Sequence, residues 1–334
     1  MKKSNRNVFT SIHEYVYKRK KLRLWLTGMA FLAPNVLGFL VFVFIPILIS
    51  FGLAFCEWDI LTPAKFVGLK NFSDILTRGE FWEYLYNTFY FMLSIPIGMA
   101  ISLALALALN QKMRGVVLFR TIYFLPVVCT IIASAIVWRW IYNPDYGLIN
   151  GFIRSLRIPV VVMGTDNFVM QFIYDAITSW NSWVSNPPTW LTSTTWSKPA
   201  IIIMQVWHSA GYNMLLYLAA LQSIPAALYE AAEIDGANER AKFWYITLPS
   251  LSFVNFFIII MGIIGGFQAF GVQYVMTGGG PAGSTTTIVY YIYNNAFQWF
   301  KMGYASAIAW ILFVLMLGAT LLQWRMGKGY ANAE

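Results

Sequence analysis

Uncharged, strongly apolar stretches recur along the chain and alternate with short polar segments. Residues 24–56 and 84–111 contain no Asp, Glu, Lys or Arg, and each exceeds the length of about 20 apolar residues that a membrane-spanning helix needs. The pattern predicts an all-α integral membrane protein with six transmembrane helices. We expect these helices near residues 30–55, 88–109, 118–142, 199–221, 248–270 and 302–324. Pro34, Pro46, Pro96 and Pro126 lie inside the predicted helices, which is tolerated in a membrane, and we expect them to kink these helices.

The composition supports a membrane protein. Hydrophobic residues make up 58% of the chain and charged residues only 11%, whereas a soluble domain carries roughly 25% charged residues. Cys56 and Cys129 lie in or beside apolar runs, so we interpret them as packing residues rather than as disulfide or metal ligands. No catalytic or metal-binding constellation is expected. The basic residues 1–23 are too long and too rich in tyrosine for the start of a cleavable signal peptide, and we interpret them as a cytoplasmic segment.

The distribution of charge predicts the orientation. With both termini in the cytoplasm, the inner segments hold most of the 23 Lys and Arg residues, and the outer segments hold equal numbers of acids and bases. The whole formal charge of +9 then lies on the inner side, as the positive-inside rule and anionic lipid require. No nucleic-acid partner is needed to explain it. The domain layout is therefore a cytoplasmic segment 1–23, a six-helix membrane domain 24–325 and a cytoplasmic tail 326–334.

Two predicted external segments are longer than simple loops. Residues 143–198 are polar and rich in Thr, Asn and Trp, and they are long enough for a small lid or a docking surface. Residues 271–301 contain three consecutive glycines before Pro281. A phosphate-binding loop would need a lysine followed by Ser or Thr at the start of a helix. Because these residues are missing, we interpret the glycines as a tight external turn.

The interior of the predicted helices bears on the energy source. Ion-driven carriers usually hold charged residues inside the bilayer, yet the helix cores contain no acid and no lysine. His208 is the one titratable candidate, either as a polar residue that lines a cavity or contacts a neighbouring helix, or as a proton relay. The energy for pumping is therefore expected from another subunit, although a passive channel would lack such charges too.

The segment between the fourth and fifth predicted helices favours a short cytoplasmic helix over residues 223–236. Ser223 is a candidate N-cap and Pro225 suits the first turn, while Ala, Leu and Glu favour the helix interior. Gly236 can take the left-handed conformation that ends a helix. Leu228, Ala231 and Ala232 give this helix a face of little bulk, which permits close approach of another protein. The residues alone leave open the alternative of an ordinary interfacial helix.

The same loop, residues 223–249, resembles the EAA loop of permeases in ATP-binding cassette (ABC) importers. The fixed positions of that signature match, each at its spacing, at Glu230, Ala231, Ala232, Gly236, Ile246, Leu248 and Pro249. In that family the helix docks into a cytoplasmic ATPase and transmits its closure to the membrane helices. The resemblance therefore implies ATPase-coupling roles for Glu230, Ala231, Ala232, Asp235 and Gly236.

Further motifs resemble the carbohydrate permeases, specifically the maltose and glycerol-phosphate group. These motifs are FVGLKNF at 66–72, RTIYFLP at 120–126, GLIN at 147–150, TGGGP at 277–281 and GYASA at 303–307. Together the matches extend over nearly the whole chain. The external segment 143–198 departs from the group, because it is longer and richer in Trp and Thr than expected.

A sugar pathway needs hydrogen-bonding groups and aromatic rings. Within the fourth predicted helix, Gln205, His208 and Tyr212 recur at helical spacing and can share one face. The fifth helix adds Gln268 beside a glycine pair. The candidate substrate-path residues are Gln205, Trp207, His208, Tyr212, Asn213 and Gln268. One alternative is that these residues only hold helices together. Another, which the resemblance implies, is that only the partner permease contacts the sugar.

These observations imply a permease subunit of a sugar or oligosaccharide ABC importer in a bacterial or archaeal plasma membrane. The expected partners are a second homologous permease, a cytoplasmic ATPase dimer, an extracytoplasmic solute-binding protein and membrane lipid. The chain itself is not expected to be an enzyme or to hold a cofactor, because ATP would bind the ATPase. The alternatives are a permease for a phosphorylated polyol or another solute and, in a different class, a stand-alone channel or secondary carrier.

Overall fold

The structure, a computed structural model, describes residues 4–111, 114–158 and 168–331. Residues 1–3 and 332–334, which end the two predicted cytoplasmic segments, lie outside the described residues. In the described part, helices predominate, and one antiparallel hairpin pairs β1 (Cys56–Glu57) with β2 (Lys65–Phe66). The helices in chain order are α1 (Ser4–Phe39), α2 (Ile45–Ala54), α3 (Lys70–Thr77), α4 (Gly79–Phe91), α5 (Ser94–Leu109), α6 (Val116–Val128), α7 (Ile131–Ile141), α8 (Leu148–Ser155), α9 (Phe168–Ser185), α10 (Ser197–Ser223), α11 (Ala226–Ile234), α12 (Glu239–Lys242), α13 (Leu248–Ser250), α14 (Ser252–Phe267), α15 (Gly271–Thr277), α16 (Ile288–Tyr293) and α17 (Met302–Ala331). Short π-helical turns occupy Leu40–Phe44, Phe243–Thr247 and Asn294–Gln298.

Three stretches of the described chain are long and apolar enough to cross a membrane as they stand: Arg23–Ala54, Gly79–Leu109 and Met302–Arg325. We refer to them as spans 1, 2 and 6. Three more qualify only as bent helix pairs, which gives up to six spans if each pair crosses once. Span 3 consists of α6 and α7, and span 5 runs from α12 to α14. We use span 4 for α10 alone, although α10 forms a bent pair with the short helix α11. The chain therefore has three to six candidate spans, and the count of six stays a prediction.

Span 3 is not the single helix that the hydrophobic pattern predicts over 118–142. Its two halves meet at 100°, so the kink expected from a proline inside this span is a full break between two helices. Pro126 lies two residues before the end of α6, and it lacks the backbone N–H that an uninterrupted helix needs. Cys129 is extended, and the hydroxyl of Thr130 accepts a hydrogen bond from the Ala133 N–H at 3.3 Å. Thr130 therefore caps the start of a second helix with a new direction.

Span 4 is the central element of the helix packing. It lies mainly against α5 and α6, and the close approach to α6 depends on Gly211. A Cβ at this position would overlap the backbone carbonyl of Tyr123. Polar contacts add to the packing, since Ser102 Oγ donates to the Ala210 carbonyl at 3.2 Å and the Tyr217 hydroxyl donates to Asn255 Oδ1 at 2.6 Å. Small residues and interhelical hydrogen bonds of this kind stabilise helix contacts in membranes.

Part of the predicted external segment 143–198 folds into α8 and α9, while residues 159–167 lie outside the described residues. Asn150 on α8 is buried and joins the two ends of the segment. Its amide donates to the carbonyl oxygens of Pro144 at 3.2 Å and Pro188 at 3.3 Å, and it accepts from Trp190 Nε1 at 2.7 Å. The glycine-rich stretch is a turn, as expected, because Gly278 and Gly279 have φ of 61° and 81°.

Candidate coupling and translocation sites

The helix α11 forms the predicted coupling element, but it begins later than expected. Ser223 does not cap it: this residue is the last of α10, and its hydroxyl donates to the Ala220 carbonyl at 2.7 Å. Pro225 instead precedes α11 in an extended conformation. The abrupt turn between the two helices bends the chain by 65°, because the residue before a proline is disfavoured in helical conformation. Ile224 accordingly is extended.

The C-terminal end of α11 agrees with the prediction for Gly236. This glycine has φ of 78°, and its N–H donates to the Glu233 carbonyl at 3.0 Å. The N–H of Ala237 reaches the Ala232 carbonyl at 2.8 Å. The pair of bonds is a Schellman motif, which satisfies carbonyls that the helix end would leave without partners. Asp235 is the C-cap residue.

The surface of α11 is open in the isolated chain. Glu230, Ala231, Asp235 and Gly236 are all exposed and Ala232 is half-buried. The Glu230 carboxylate has no hydrogen-bond or ion-pair partner among the residues that the structure describes. The five predicted coupling residues therefore share one short helix and its terminal turn, with a free carboxylate beside a small-residue surface.

Two sets of polar contacts, which the sequence reasoning missed, join α11 to the start of span 5. Lys242 Nζ lies 2.7 Å from Glu233 Oε1 on α11 and 2.9 Å from Glu239 Oε1. The hydroxyls of Tyr229 and buried Thr247 lie 2.9 Å apart. The i, i+3 spacing of Glu239 and Lys242 signals their ion pair in the sequence. The contacts of Glu233 and Tyr229 on α11 have no such signal in the sequence, because they join residues of two different helices across the turn that follows α11.

A cavity of about 330 Å³ opens between spans 2, 3, 4 and 5. Span 4 contributes Gln205, His208, Tyr212 and Asn213 to its wall, and span 5 contributes a glycine-rich stretch that includes Gly265. The i, i+3, i+7 spacing thus predicted a shared face correctly. The positions that sequence reasoning missed include Ser209, Ser94, Ile131 and Phe257. Of these, only Ser209, one turn from Gln205, could have been found from helical spacing.

Two of the candidate path residues lie elsewhere. The Trp207 ring contacts the Trp138 ring edge-on with 5.5 Å between centroids, and Trp207 does not line the cavity. Gln268 follows the last residue of α14 and is exposed, also outside the cavity wall. The structure therefore brings four of the six candidates together and leaves these two on other surfaces of the chain.

The cavity offers unused hydrogen-bonding groups. The Tyr212 hydroxyl and the Asn213 amide have no partner in the described part of the chain, and the buried Gln205 Oε1 has none either. His208 Nε2 lies 3.3 Å from the Cys129 carbonyl, at the break in span 3. This contact fits the interpretation of His208 as a polar residue that contacts a neighbouring helix. A wall of hydroxyl, amide and imidazole groups between aromatic and small residues can bind a neutral polar solute.

Comparisons with known proteins agree on one family. The family described as binding-protein-dependent transport system inner membrane component matches residues 11–329. The probable ABC transporter permease protein YesP of Bacillus subtilis (strain 168) is 34% identical, over 92% of this chain and 93% of its own. The lactose transport system permease protein LacF of Rhizobium radiobacter is 34% identical, over 89% of this chain and 92% of its own. The trehalose/maltose transport system permease protein MalF of Thermococcus litoralis is 32% identical, over 93% of this chain and 95% of its own.

Two solved structures have a similar fold. A chain of a bacterial ABC transporter involved in the import of the acidic polysaccharide alginate superimposes with a TM-score of 0.72 at 24% identity, over 94% of this chain and 98% of its own. A chain of the bacterial alginate ABC transporter in complex with an alginate pentasaccharide-bound periplasmic protein gives 0.71 at 25% identity, over 92% and 96%.

Proposed function

The chain belongs to the family of binding-protein-dependent transport system inner membrane components, and we propose that it is a permease subunit of an ABC importer for a sugar or oligosaccharide. It forms the translocation path with a second, homologous permease. A cytoplasmic ATPase dimer supplies the energy, and an extracytoplasmic solute-binding protein delivers the solute. The chain is a transport component and not an enzyme. Family membership argues against a stand-alone channel or a secondary carrier.

The observation that carries the sugar assignment is the polar wall of the cavity between spans 2, 3, 4 and 5. Tyr212 and Asn213 present free hydrogen-bonding groups there. Among the described residues that line the cavity, no Lys or Arg is present. A phosphorylated polyol carries an anionic group that a cationic side chain would usually pair with. The lining therefore favours a neutral sugar over the glycerol phosphate named for the relative UgpA of Yersinia enterocolitica, which is 30% identical.

The coupling role of α11 is supported by its surface and by its attachment to span 5. Ala231 and Ala232 let a partner approach closely, while Glu230 offers a charge for a specific contact. Docking of the ATPase on this helix would move a unit that is bonded to span 5 through Lys242 and Tyr229. The energy of ATP hydrolysis enters the membrane helices by this route.

The proposed topology is that of a multi-pass protein of a bacterial or archaeal plasma membrane. Six spans place both termini and α11 in the cytoplasm, and they place residues 143–198 and 271–301 outside. The support is the charge distribution, which concentrates the formal excess of +9 on the cytoplasmic side. Anionic lipid on that side would stabilise this orientation.

The sugar assignment is tested by uptake of radiolabelled sugars into proteoliposomes that contain the whole importer and its binding protein. Asn213→Ala and Tyr212→Phe each remove one hydrogen-bonding group from the cavity. Each such bond contributes about 0.5–1.5 kcal/mol, so we expect roughly twofold to twelvefold slower uptake at subsaturating sugar. Gln222→Ala is the matched control, since this exposed amide lies on the same helix and outside the cavity. Wild-type uptake in both cavity variants would exclude this cavity as the sugar path.

A further inference from the structure

The external helix α9 has three distinct faces. Ile177, Asn181 and Val184 face the rest of the chain, with Val184 fully buried. Gln171, Asp175, Thr178 and Ser182 recur at i, i+4, i+7 and i+11 and form an exposed polar face. The third face is the aromatic stripe, and it is made of Phe172, Ala176, Trp180 and Trp183.

The aromatic stripe has large rings without cover in the described chain. Phe172 is 68% exposed, Trp183 46% and Trp180 40%. The rings of Trp180 and Trp183 contact each other with 5.6 Å between centroids. Trp180 Nε1 also donates to the Leu156 carbonyl at 3.1 Å, which fixes the indole in place at the end of α8. The stripe is therefore an apolar surface of fixed geometry that the described part of the chain leaves uncovered.

The stripe continues onto neighbouring apolar surface. Leu148 and Phe152, one turn apart on α8, are 59% and 66% exposed. Tyr146, which precedes α8, contacts the ring of Trp140 on span 3 with 6.4 Å between centroids. Trp140 is 51% exposed, and it lies near the outer end of its span. Aromatic and aliphatic side chains thus follow the chain from a membrane span to the external helix.

We propose that the aromatic stripe of α9 lies in the outer interface of the membrane, with its indoles among the lipid headgroups. Trp and Tyr are enriched at this depth because they combine an apolar ring with a polar edge. An amphipathic helix lies in the interface when one face is apolar and the other polar, and α9 has this arrangement. Its one acid, Asp175, is on the polar face. The stripe holds no charge for pairing with a protein partner.

The lipid contact has a consequence for the importer. The external segment 143–198 is attached to span 3 at one end and to span 4 at the other, and span 4 lines the proposed sugar cavity. A helix held at the lipid surface would fix the outer ends of these spans at constant depth. The inference rests on the proposed external position of this segment, but not on the identity of the solute.

The test uses the reconstituted importer with Cys56 and Cys129 replaced by serine and an environment-sensitive fluorophore on single new cysteines. Phe172→Cys and Trp183→Cys carry the label on the stripe. Thr178→Cys and Ser182→Cys are matched controls on the polar face of the same helix. The quenchers are lipids with a nitroxide near the headgroup and, separately, iodide in the water.

We expect blue-shifted emission and stronger quenching by the nitroxide lipid at the two stripe positions, and stronger quenching by iodide at the two polar positions. Equal lipid quenching on both faces would overturn the proposal. It would also be overturned if lipid failed to quench the stripe labels while added binding protein shielded them from iodide, because that result identifies a protein-docking surface. Sugar uptake by each labelled importer reports that the variant has folded.

Discussion

Tyr229→Phe isolates one of the connections between α11 and span 5. The substitution removes only the hydroxyl that lies 2.9 Å from Thr247 Oγ1, and it keeps the aromatic ring. Thr247 is buried, but its hydroxyl retains a contact with the Lys242 carbonyl at 3.4 Å. No buried group loses all of its hydrogen-bond partners, so the change in the free energy of the contact between α11 and span 5 is close to the net value of one hydrogen bond.

That value is about 0.5–1.5 kcal/mol, or roughly a twofold to twelvefold change in the equilibrium between attached and detached arrangements of α11. The ion pair between Lys242 and Glu233 remains, so the attachment weakens without being lost. We expect the amount of sugar transported per ATP hydrolysed to fall, by at most that factor. Assembly with the ATPase should be unchanged, because the bond lies on the side of α11 that faces its own chain.

The assay measures sugar uptake and phosphate release together in proteoliposomes supplied with binding protein. Tyr245→Phe is the matched control, because this tyrosine is near Thr247 in sequence and is 82% exposed without a hydrogen-bond partner in the described chain. A Tyr229→Phe importer with the wild-type ratio of sugar to ATP would refute the idea that this bond transmits force. Loss of the ATPase on purification would refute the assignment of the bond to an internal contact.

The remaining predictions concern docking, packing and topology. Ala231→Trp should prevent recovery of the ATPase on purification without reducing the amount of chain in the membrane, and normal recovery would contradict docking at this face. Gly211→Ala should cost about 1–3 kcal/mol through overpacking against span 3, measured as a lower midpoint of thermal unfolding in detergent, whereas Gly318→Ala, which has open space at its Cβ position, should not. Reporter fusions at Glu334 and near Asn186 should report opposite sides of the membrane, and the same side for both would contradict the proposed topology.

The features that sequence predicted well are those that local chemistry determines. Gly236 ends α11 because only a residue free of a Cβ adopts φ of 78° at low cost. The shared face of Gln205, His208 and Tyr212 follows from helical periodicity alone. Apolar length predicted most ends of the candidate spans to within a few residues, since lipid imposes a minimum length on each helix. The starts of spans 1, 2 and 5 lie earlier than predicted, at Arg23, Gly79 and Glu239.

The features that sequence missed depend on contacts between distant parts of the chain. Pro126 predicts a kink in span 3, but hydropathy cannot show that the kink is a full break at Cys129, because a broken and a straight helix have the same apolar content. Trp207 is different, because it lies two residues after Gln205, so helical spacing alone turns its ring away from the shared face and toward Trp138. The Ser223 cap failed because the preceding helix continues through that residue, so the chain had no free helix start there to cap.

Glycines in span 5 connect the proposed coupling helix to the proposed sugar cavity. A Cβ at Gly262 would lie 3.0 Å from the Ile95 side chain, and one at Gly266 would lie 2.8 Å from the Met92 side chain. Side chains of span 2 therefore pack directly against the backbone of span 5 at these two glycines. Gly265, between them, has open space and lines the cavity. If the ATPase displaces α11, the bonds to the start of span 5 move this glycine stretch against span 2. Because both spans form the cavity wall, this displacement of α11 would change the shape of the cavity. Coupling by this route requires no charged residue within the membrane.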